Sequence, residues 1–429
     1  MNTPILPPVK QPDRRQRYGT ILLFVFTFLG AATGLGAAWE GEEVIKDGVP
    51  HLMNPARSIE PPATSRLDKL WQISGEEEDE FFFGVLTQIA CDGKGNVYLL
   101  DIQLHQVLVF SPAGEFIRSI GRQGEGPGEF NRPSDLFMTA GGDVAVMQTQ
   151  PGKIVLLSPE GEPRGNHPMP RPEDGGMQTF SGGRNAGDRI VVFVEQFSRG
   201  DAGLSIISSL VAVDGSGNLK TTYFTERDTR SFASLNFDEK KLRDNAVTWS
   251  TGNDGRVYLS SDFDAYRIEV RGPDGSLERV IEREYEHRVR SEKEIERATP
   301  RLRIRSSGST QAPEVIMSKT DRDIVGLFPR EDGSLWVLSS RGAFDAPDGA
   351  IAVFDIYDGG GRFVRQLTLI GDGALREDGI QLSNDRLYVL KGMRSARRAA
   401  FGGGNSNEEA DDEPMSVICY DLPQIVQGR

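Results

Sequence analysis

The sequence predicts an all-β chain of repeated antiparallel sheets, and three observations carry that prediction. A strand–turn–strand unit recurs six times. Apolar and polar residues alternate within the copies. Turns rich in Asx-Gly separate the strands.

The copies follow one another along the chain. The first reads Cys91-Asp-Gly-Lys-Gly-Asn-Val-Tyr-Leu-Leu, then Gln106-Val-Leu-Val-Phe, then Phe116-Ile-Arg-Ser-Ile. The second holds Gly141-Gly-Asp-Val-Ala-Val-Met and Lys153-Ile-Val-Leu-Leu. The third holds Gly187-Asp-Arg-Ile-Val-Val-Phe and Leu219-Lys-Thr-Thr-Tyr-Phe. The fourth, fifth and sixth open at Asp254-Gly-Arg-Val-Tyr-Leu, Asp332-Gly-Ser-Leu-Trp-Val-Leu and Asn384-Asp-Arg-Leu-Tyr-Val-Leu. An apolar segment usually precedes the first turn, as at Leu86 to Ala90, so each copy makes four strands. Six such sheets bury both faces only when stacked radially, which predicts a six-bladed β-propeller over residues 66–429. The last copy ends near Asp421 without an outer strand. An orphan strand, Leu67-Asp-Lys-Leu-Trp-Gln-Ile-Ser-Gly, precedes the first copy and matches the outer-strand pattern. This N-terminal strand is expected to complete the sixth blade and close the ring, leaving no free sheet edge.

Composition agrees and excludes other classes. Of 429 residues, 38 % are hydrophobic, so the chain is not wholly disordered, and its 49 glycines lack a three-residue period. The net charge of −14 repels phosphate backbones and argues against nucleic acid as a partner. Two cysteines exclude a disulfide scaffold and a zinc ribbon.

The unit Asp92-Gly-Lys-Gly-Asn-Val-Tyr-Leu-Leu-Asp and the run Gly121-Arg-Gln-Gly-Glu-Gly-Pro-Gly-Glu-Phe-Asn-Arg-Pro resemble the NHL-repeat type of six-bladed β-propeller, of the extracytoplasmic bacterial kind. The resemblance covers about residues 66–422, strongest in the first two copies and weakest in the third. It implies a fold whose members include extracytoplasmic binding modules and a few enzymes, and it leaves function open. The amidating lyases of that group use several channel histidines. Here His51, His105, His167 and His287 are scattered, and spacing brings no three together.

The N-terminus carries the address. Lys10, Arg14, Arg15 and Arg17 precede an apolar run over residues 21–38, and Glu40, Glu42 and Glu43 follow it. Positive before and negative after places residues 1–20 in the cytoplasm and the propeller outside. The run reads as a signal anchor, holding the chain to the membrane, or else as a cleaved signal peptide that would release it. Residues 39–65, with Pro50, Pro55, Pro61 and Pro62, read as a tether, with a small hairpin possible around Asp47-Gly48.

Two Gly-rich runs resemble ligand loops and are expected to be turns. Gly124-Glu-Gly-Pro-Gly-Glu lacks the Gly-Lys-Ser/Thr of a phosphate loop, and Asp92-Gly-Lys-Gly-Asn lacks the later Glu of a calcium loop. Aligning the copies puts the starts of the innermost strands near Gln88, Asp135, Gln178, Asn245, Asp323 and Asp378, around one channel mouth. Carboxylates and amides there suit a hard cation such as Ca²⁺, held by Asp135, Asp323 and Asp378, or a polar ligand. The alternative is a channel that is simply wet and polar. The ends of the second strands offer Asp101, Gln148, Glu195, Ser261, Ser339 and Lys391, of which Asp101 and Glu195 are the best candidates.

Cys91 and Cys419 fall in the first and last blades and would be neighbours in a ring, either paired or free. Residues 285–322 form an insert expected to hold a short exposed helix, or to serve as a docking arm. Residues 394–414 are basic, then glycine-rich, then acidic, and are expected to be disordered. The leading functional reading is a non-enzymatic binding or scaffold propeller for a protein, peptide or glycan. The alternative is a metal-dependent hydrolase or lyase at the channel mouth. A structural spacer in an envelope complex is a third.

Overall fold

The computed structural model describes residues 38–75, 81–169, 176–200, 203–230, 236–242, 246–299, 314–383, 385–401 and 414–423. The expected membrane or signal segment therefore lies outside the described residues but for Ala38. Among the described residues no helix is long and apolar enough to cross a membrane.

The chain folds as a six-bladed β-propeller. Blade one pairs Leu86–Cys91, Val97–Asp101, Gln106–Phe110 and Phe116–Ile120 in order. Blade two follows with Pro133–Met138, Val144–Gln148, Lys153–Leu157 and Pro163–Pro168. Blade three is longer: Met177–Ala186, Arg189–Gly200, Gly203–Val213 and Leu219–Arg230. Blade four uses Thr248–Thr251, Val257–Ser260, Arg267–Arg271 and Leu277–Arg283. Blade five uses Ile324–Pro329, Leu335–Ser339, Ala350–Tyr357 and Phe363–Ile370. Blade six joins Gly379–Ser383, Arg386–Lys391 and Ser416–Asp421 to the early strand Lys69–Ser74, which pairs antiparallel with Trp71 opposite Cys419.

Alternation along each strand sends one set of apolar residues to each neighbouring blade. Leu100 and Val109 of blade one meet Leu136 and Val146 of blade two. On its other side blade one packs Leu86, Leu99 and Phe110 against Tyr388, Leu390 and Val417 of blade six. Each such buried side chain contributes ~1.5–3 kcal/mol. Cys91 and Cys419 are free thiols at this seam, and the Cys91 Sγ lies 3.4 Å from the Tyr388 hydroxyl. Burial pushes the Cys419 thiol up to about 12 and raises that of Cys91.

The expected tether is instead built into the sheets. Glu42–Lys46 and Val49–Asn54 form the hairpin at Asp47-Gly48, where φ is 53° and 82°. Val49–Asn54 then runs parallel to the outer strand of blade four, and Ala63–Arg66 runs parallel to that of blade five. Both outer strands presented a free edge that parallel strands could extend. Asn54, 2 % exposed, locks the arrangement. Its amide donates to the carbonyls of Glu282 and Gly361, and its oxygen accepts from Phe363 N–H and the Trp39 indole. Proline content suggested a spacer, but three of those prolines sit between strands, where no ladder N–H is needed.

The insert holds the expected short helix, Glu292–Ala298, capped by Ser291 and with none of its residues buried, while the segment before it is docked. Arg288, 6 % exposed, donates to Asp345 and Glu294 at 2.7 Å each and to Asp321, and Arg290 pairs with Glu239 at 2.8 Å. Residues Met393–Phe401 of the segment expected to be disordered form a helix. Alanines favour it, Met393 and Ala396 pack on the blade six–one core, and Ser395 and Arg398 bind Glu377. The glycine-rich and acidic remainder, 402–413, lies outside the described residues.

Candidate functional site

The first strands begin, and the second strands end, on one face of the propeller. There a cavity of about 1170 Å³ opens. The first strands line it with Thr87, Gln88, Ser134, Asp135 and Trp249, joined by Gly182 and Arg184 of blade three. Loops after the second strands add Gln103, His105, Thr149 and Gln150. The inter-blade run adds Gln123, Glu125, Asn131 and Arg132, and the helix of blade six adds Met393 and Arg397.

A recurrent β-bulge shapes this mouth. The ladder slips between Leu86 and Gln88, between Pro133 and Asp135, between Phe180 and Gly183, and between Ile324 and Gly326. A bulge re-aims the side chains beside it. It brings Asp135 to accept from Gly183 N–H at 2.8 Å and from the Arg184 guanidinium at 2.6 Å. Arg184 lies 5.9 Å from the centre of the Trp249 ring. Asp135 is 1 % exposed, so it acts as the clamp that holds Arg184 and the blade-three bulge in place.

The remaining expected residues divide. Gln88 lines the cavity as expected. Gln178 does not. It pairs with Gln196 several residues before the bulge, because blade three has longer strands than its neighbours. Asn245 lies outside the described residues. Asp101 accepts four backbone N–H groups, from Gly84, Val85, Gln103 and Leu104, and holds a loop rather than a ligand. Asp378 likewise accepts from Ala374 and Gly392 N–H, with Lys391 3.5 Å away. Asp323 is fully buried, 2.9 Å from His287 Nδ1. Burial raises its carboxyl, and the imidazole contact opposes that. Glu195 is buried in blade three opposite Ser208 and does not line the cavity. Of the lesser candidates, Gln148 accepts from Asn131 N–H, Ser339 caps a short helix, and Lys391 pairs with Asp372.

The expected ion site does not assemble. Asp135, Asp323 and Asp378 are each bound to different neighbours. Among the described residues no three His, Cys, Asp or Glu form a metal-holding group. Sequence alignment missed Arg132, Arg184, Trp249 and Arg397. The signal that could have found the first two is the break in alternation at Pro133-Ser134-Asp135 and Ser181-Gly-Gly-Arg, which marks a bulge.

The lining is polar but unevenly committed. Its two carboxylates are neutralised, Asp135 by Arg184 and Glu125 by Lys153 at 3.2 Å. Asn131 and Lys153 hold the Glu125 carboxyl below its usual range. By contrast Arg132 and Arg397 have no ion-pair partner among the described residues. The side-chain amides of Gln88, Gln103, Gln123 and Gln150 make no hydrogen bond there either.

A family model described as a 6-bladed beta-propeller matches residues 63–165, which span the last of the N-terminal segment and blades one and two. No curated protein matches the chain. Among solved structures, a Bacteroides fragilis protein predicted to be exported is 12 % identical. The match covers 84 % of this chain and 99 % of that one, with a TM-score of 0.47. Virginiamycin B lyase from Staphylococcus aureus is 10 % identical over 82 % and 99 % of the chains, TM-score 0.40. A calcium-binding regucalcin from Agrobacterium tumefaciens is 12 % identical over 84 % and 97 %, TM-score 0.38.

Proposed function

We propose that this chain is an extracytoplasmic binding propeller of the NHL-repeat type, recognising a protein, peptide or glycan in the cavity on the loop face. One observation carries the reading: the cavity offers free hydrogen-bonding amides and unpaired guanidinium groups, while its carboxylates are engaged. Such a lining grips a polar ligand, but it presents no free carboxylate poised as a general base. The ring is closed by Lys69–Ser74, a reading supported by its pairing in blade six and by the blade six–one core. The basic N-terminus followed by an apolar run supports a position outside the cytoplasm, tethered or released. The alternative, a metal-dependent hydrolase or lyase, rested on convergence of Asp135, Asp323 and Asp378, and it loses that basis.

The test is ligand binding by the full-length chain against peptide and glycan arrays, wild type beside Gln88→Ala/Gln150→Ala. The reading expects a ligand that wild type binds unchanged and the double variant binds at least ten-fold more weakly. Chemical turnover of that ligand by wild type, or equal binding by the double variant, overturns it.

A further inference from the structure

We infer that the cavity takes an acidic oligosaccharide, a sugar chain bearing carboxylate or sulfate groups. The inference rests on the reading of this cavity as a binding site and names its ligand class.

Charge is the first argument. The chain carries −14, yet Arg132 and Arg397 of the cavity have no ion-pair partner among the described residues, while its acids are spent on Arg184 and Lys153. The uncompensated charge of the lining is therefore positive, on a molecule that otherwise repels anions. Guanidinium groups grip carboxylate and sulfate oxygens through paired N–H donors.

The neutral lining is the second. Gln88, Gln103, Gln123 and Gln150 come from blade one, the inter-blade run and blade two, with side-chain amides free of protein partners. The Thr87 hydroxyl is shielded and also without a partner. Each amide offers two donors and an acceptor, which matches the paired donor–acceptor character of neighbouring sugar hydroxyls. Trp249 supplies an aromatic surface of the kind the apolar face of a sugar ring covers. The apolar residues otherwise lining the cavity, Ile102, Pro133 and Met393, are too few to make the side-chain pockets that hold most peptides.

Backbone conformation is the third. Only three non-glycine described residues have positive φ. One, Asp47, turns a hairpin. The others, Arg132 at 46° and His105 at 55°, both line the cavity. Such conformations are disfavoured for L residues and persist where the surroundings impose them, most often at binding sites. The Arg132 carbonyl accepts from both the N–H and the hydroxyl of Thr149, which holds the turn that places this side chain at the rim.

The experiment is calorimetric titration of the full-length chain in detergent with four probes. These are tetragalacturonate, a heparin-derived tetrasaccharide, maltotetraose and tetraglutamate. The inference expects an acidic saccharide to bind at least ten-fold more tightly than maltotetraose and tetraglutamate. It expects that advantage to fall at least ten-fold in Arg132→Gln/Arg397→Gln and to weaken as salt is raised. Arg118→Gln, on the outer strand of blade one, should bind like wild type. Whichever of the two acidic sugars binds better identifies the anionic group. Equal or tighter binding of maltotetraose or tetraglutamate overturns the acidic-sugar inference but keeps a binding cavity. Failure of every probe also overturns it, and the array test then decides the binding reading separately. Acidic-sugar binding untouched by the double substitution overturns the assignment to this cavity.

Discussion

The two faces of the propeller are built by different physics. On one face the strands are joined by tight turns, nine of them of one design. In each, a glycine at positive φ donates its N–H to the carbonyl three residues back, and that first residue donates to the carbonyl four residues on. The first residue is Asp, Ser or Thr in six turns, as at Asp92, Ser111 and Asp214, and its side-chain oxygen usually accepts the N–H groups two and four residues ahead. Where the first residue is Gly252, Gly272 or Arg330, an Asp stands third, at Asp254, Asp274 or Asp332, and accepts the last of those N–H groups instead. Everything such a turn needs lies within five residues.

The opposite face has no such economy. It carries the insert, the helix of blade six and the cavity, held by contacts between residues far apart in the chain. Arg288 alone joins three carboxylates from three segments, and Arg376 ties blade six to the insert through Glu294. The difference teaches that one face is a local solution repeated, and the other a set of single long-range solutions. The proposed binding cavity lies on the second, where loops vary without disturbing the sheets.

Three measurements would break or sharpen this contrast. The largest effect should come from the loop face. Arg288→Ala leaves three carboxylates facing one another, and should cost about 3 kcal/mol, the lower end for removing one member of a buried pair, because its partners stay partly exposed. Chemical denaturation reads this directly. A loss below about 1 kcal/mol would mean the insert is merely resting on the surface.

On the turn face, Gly333→Ala isolates backbone strain. Its φ is 82° and a Cβ there meets nothing within 4 Å, so about 1–2 kcal/mol is expected from conformation alone. Gly361→Ala, at φ 90°, should cost more, because its Cβ would sit 2.8 Å from Ile281 in blade four. Equal losses at the two sites would show that the turn, and not its packing, sets the cost.

The smallest effect is in pH. Burial alone would raise the Glu294 carboxyl, but the Ser291 N–H, Arg376 and Arg288 outweigh it and hold it well below the usual carboxylate range. Its pKa is thus lower folded than unfolded. The stability it contributes is present above about pH 4.5, its ordinary value, and is lost as pH falls below that. Denaturation midpoints measured from pH 6 to pH 3 should fall less steeply for Glu294→Gln than for wild type. Parallel curves would place the acid-sensitive contacts elsewhere.

Particular residues show where reading the chain succeeded. Alternation and Asx-Gly turns located the six blades, the hairpin at Asp47-Gly48 and the strand near Leu67 that pairs in blade six. These are signals of period two or of a single turn, so they survive without knowledge of neighbours. The candidate site was less legible. Counting along the repeat chose Asp101, Asp323 and Asp378, which serve backbone N–H groups and His287, and Gln178, which lies short of the mouth. A bulge of one residue shifts every later position, and alternation alone carries no record of it unless the break is sought. The parallel addition of residues 49–54 and 63–66 was invisible for another reason. It depends on which distant edges stand free.

By itself, then, the sequence determined the repeat, the blade count, the turn chemistry and the charge asymmetry of the N-terminus, because each follows from residues close together in the chain. Only the tertiary structure decided that Asp135 clamps Arg184 beside Trp249, that Arg132 and Arg397, without ion-pair partners among the described residues, line one cavity with Gln88 and Gln150, and that the supposed tether is sheet. Those outcomes depend on bulges and on contacts across tens to hundreds of residues, where pairing energies are settled by geometry that no local pattern encodes.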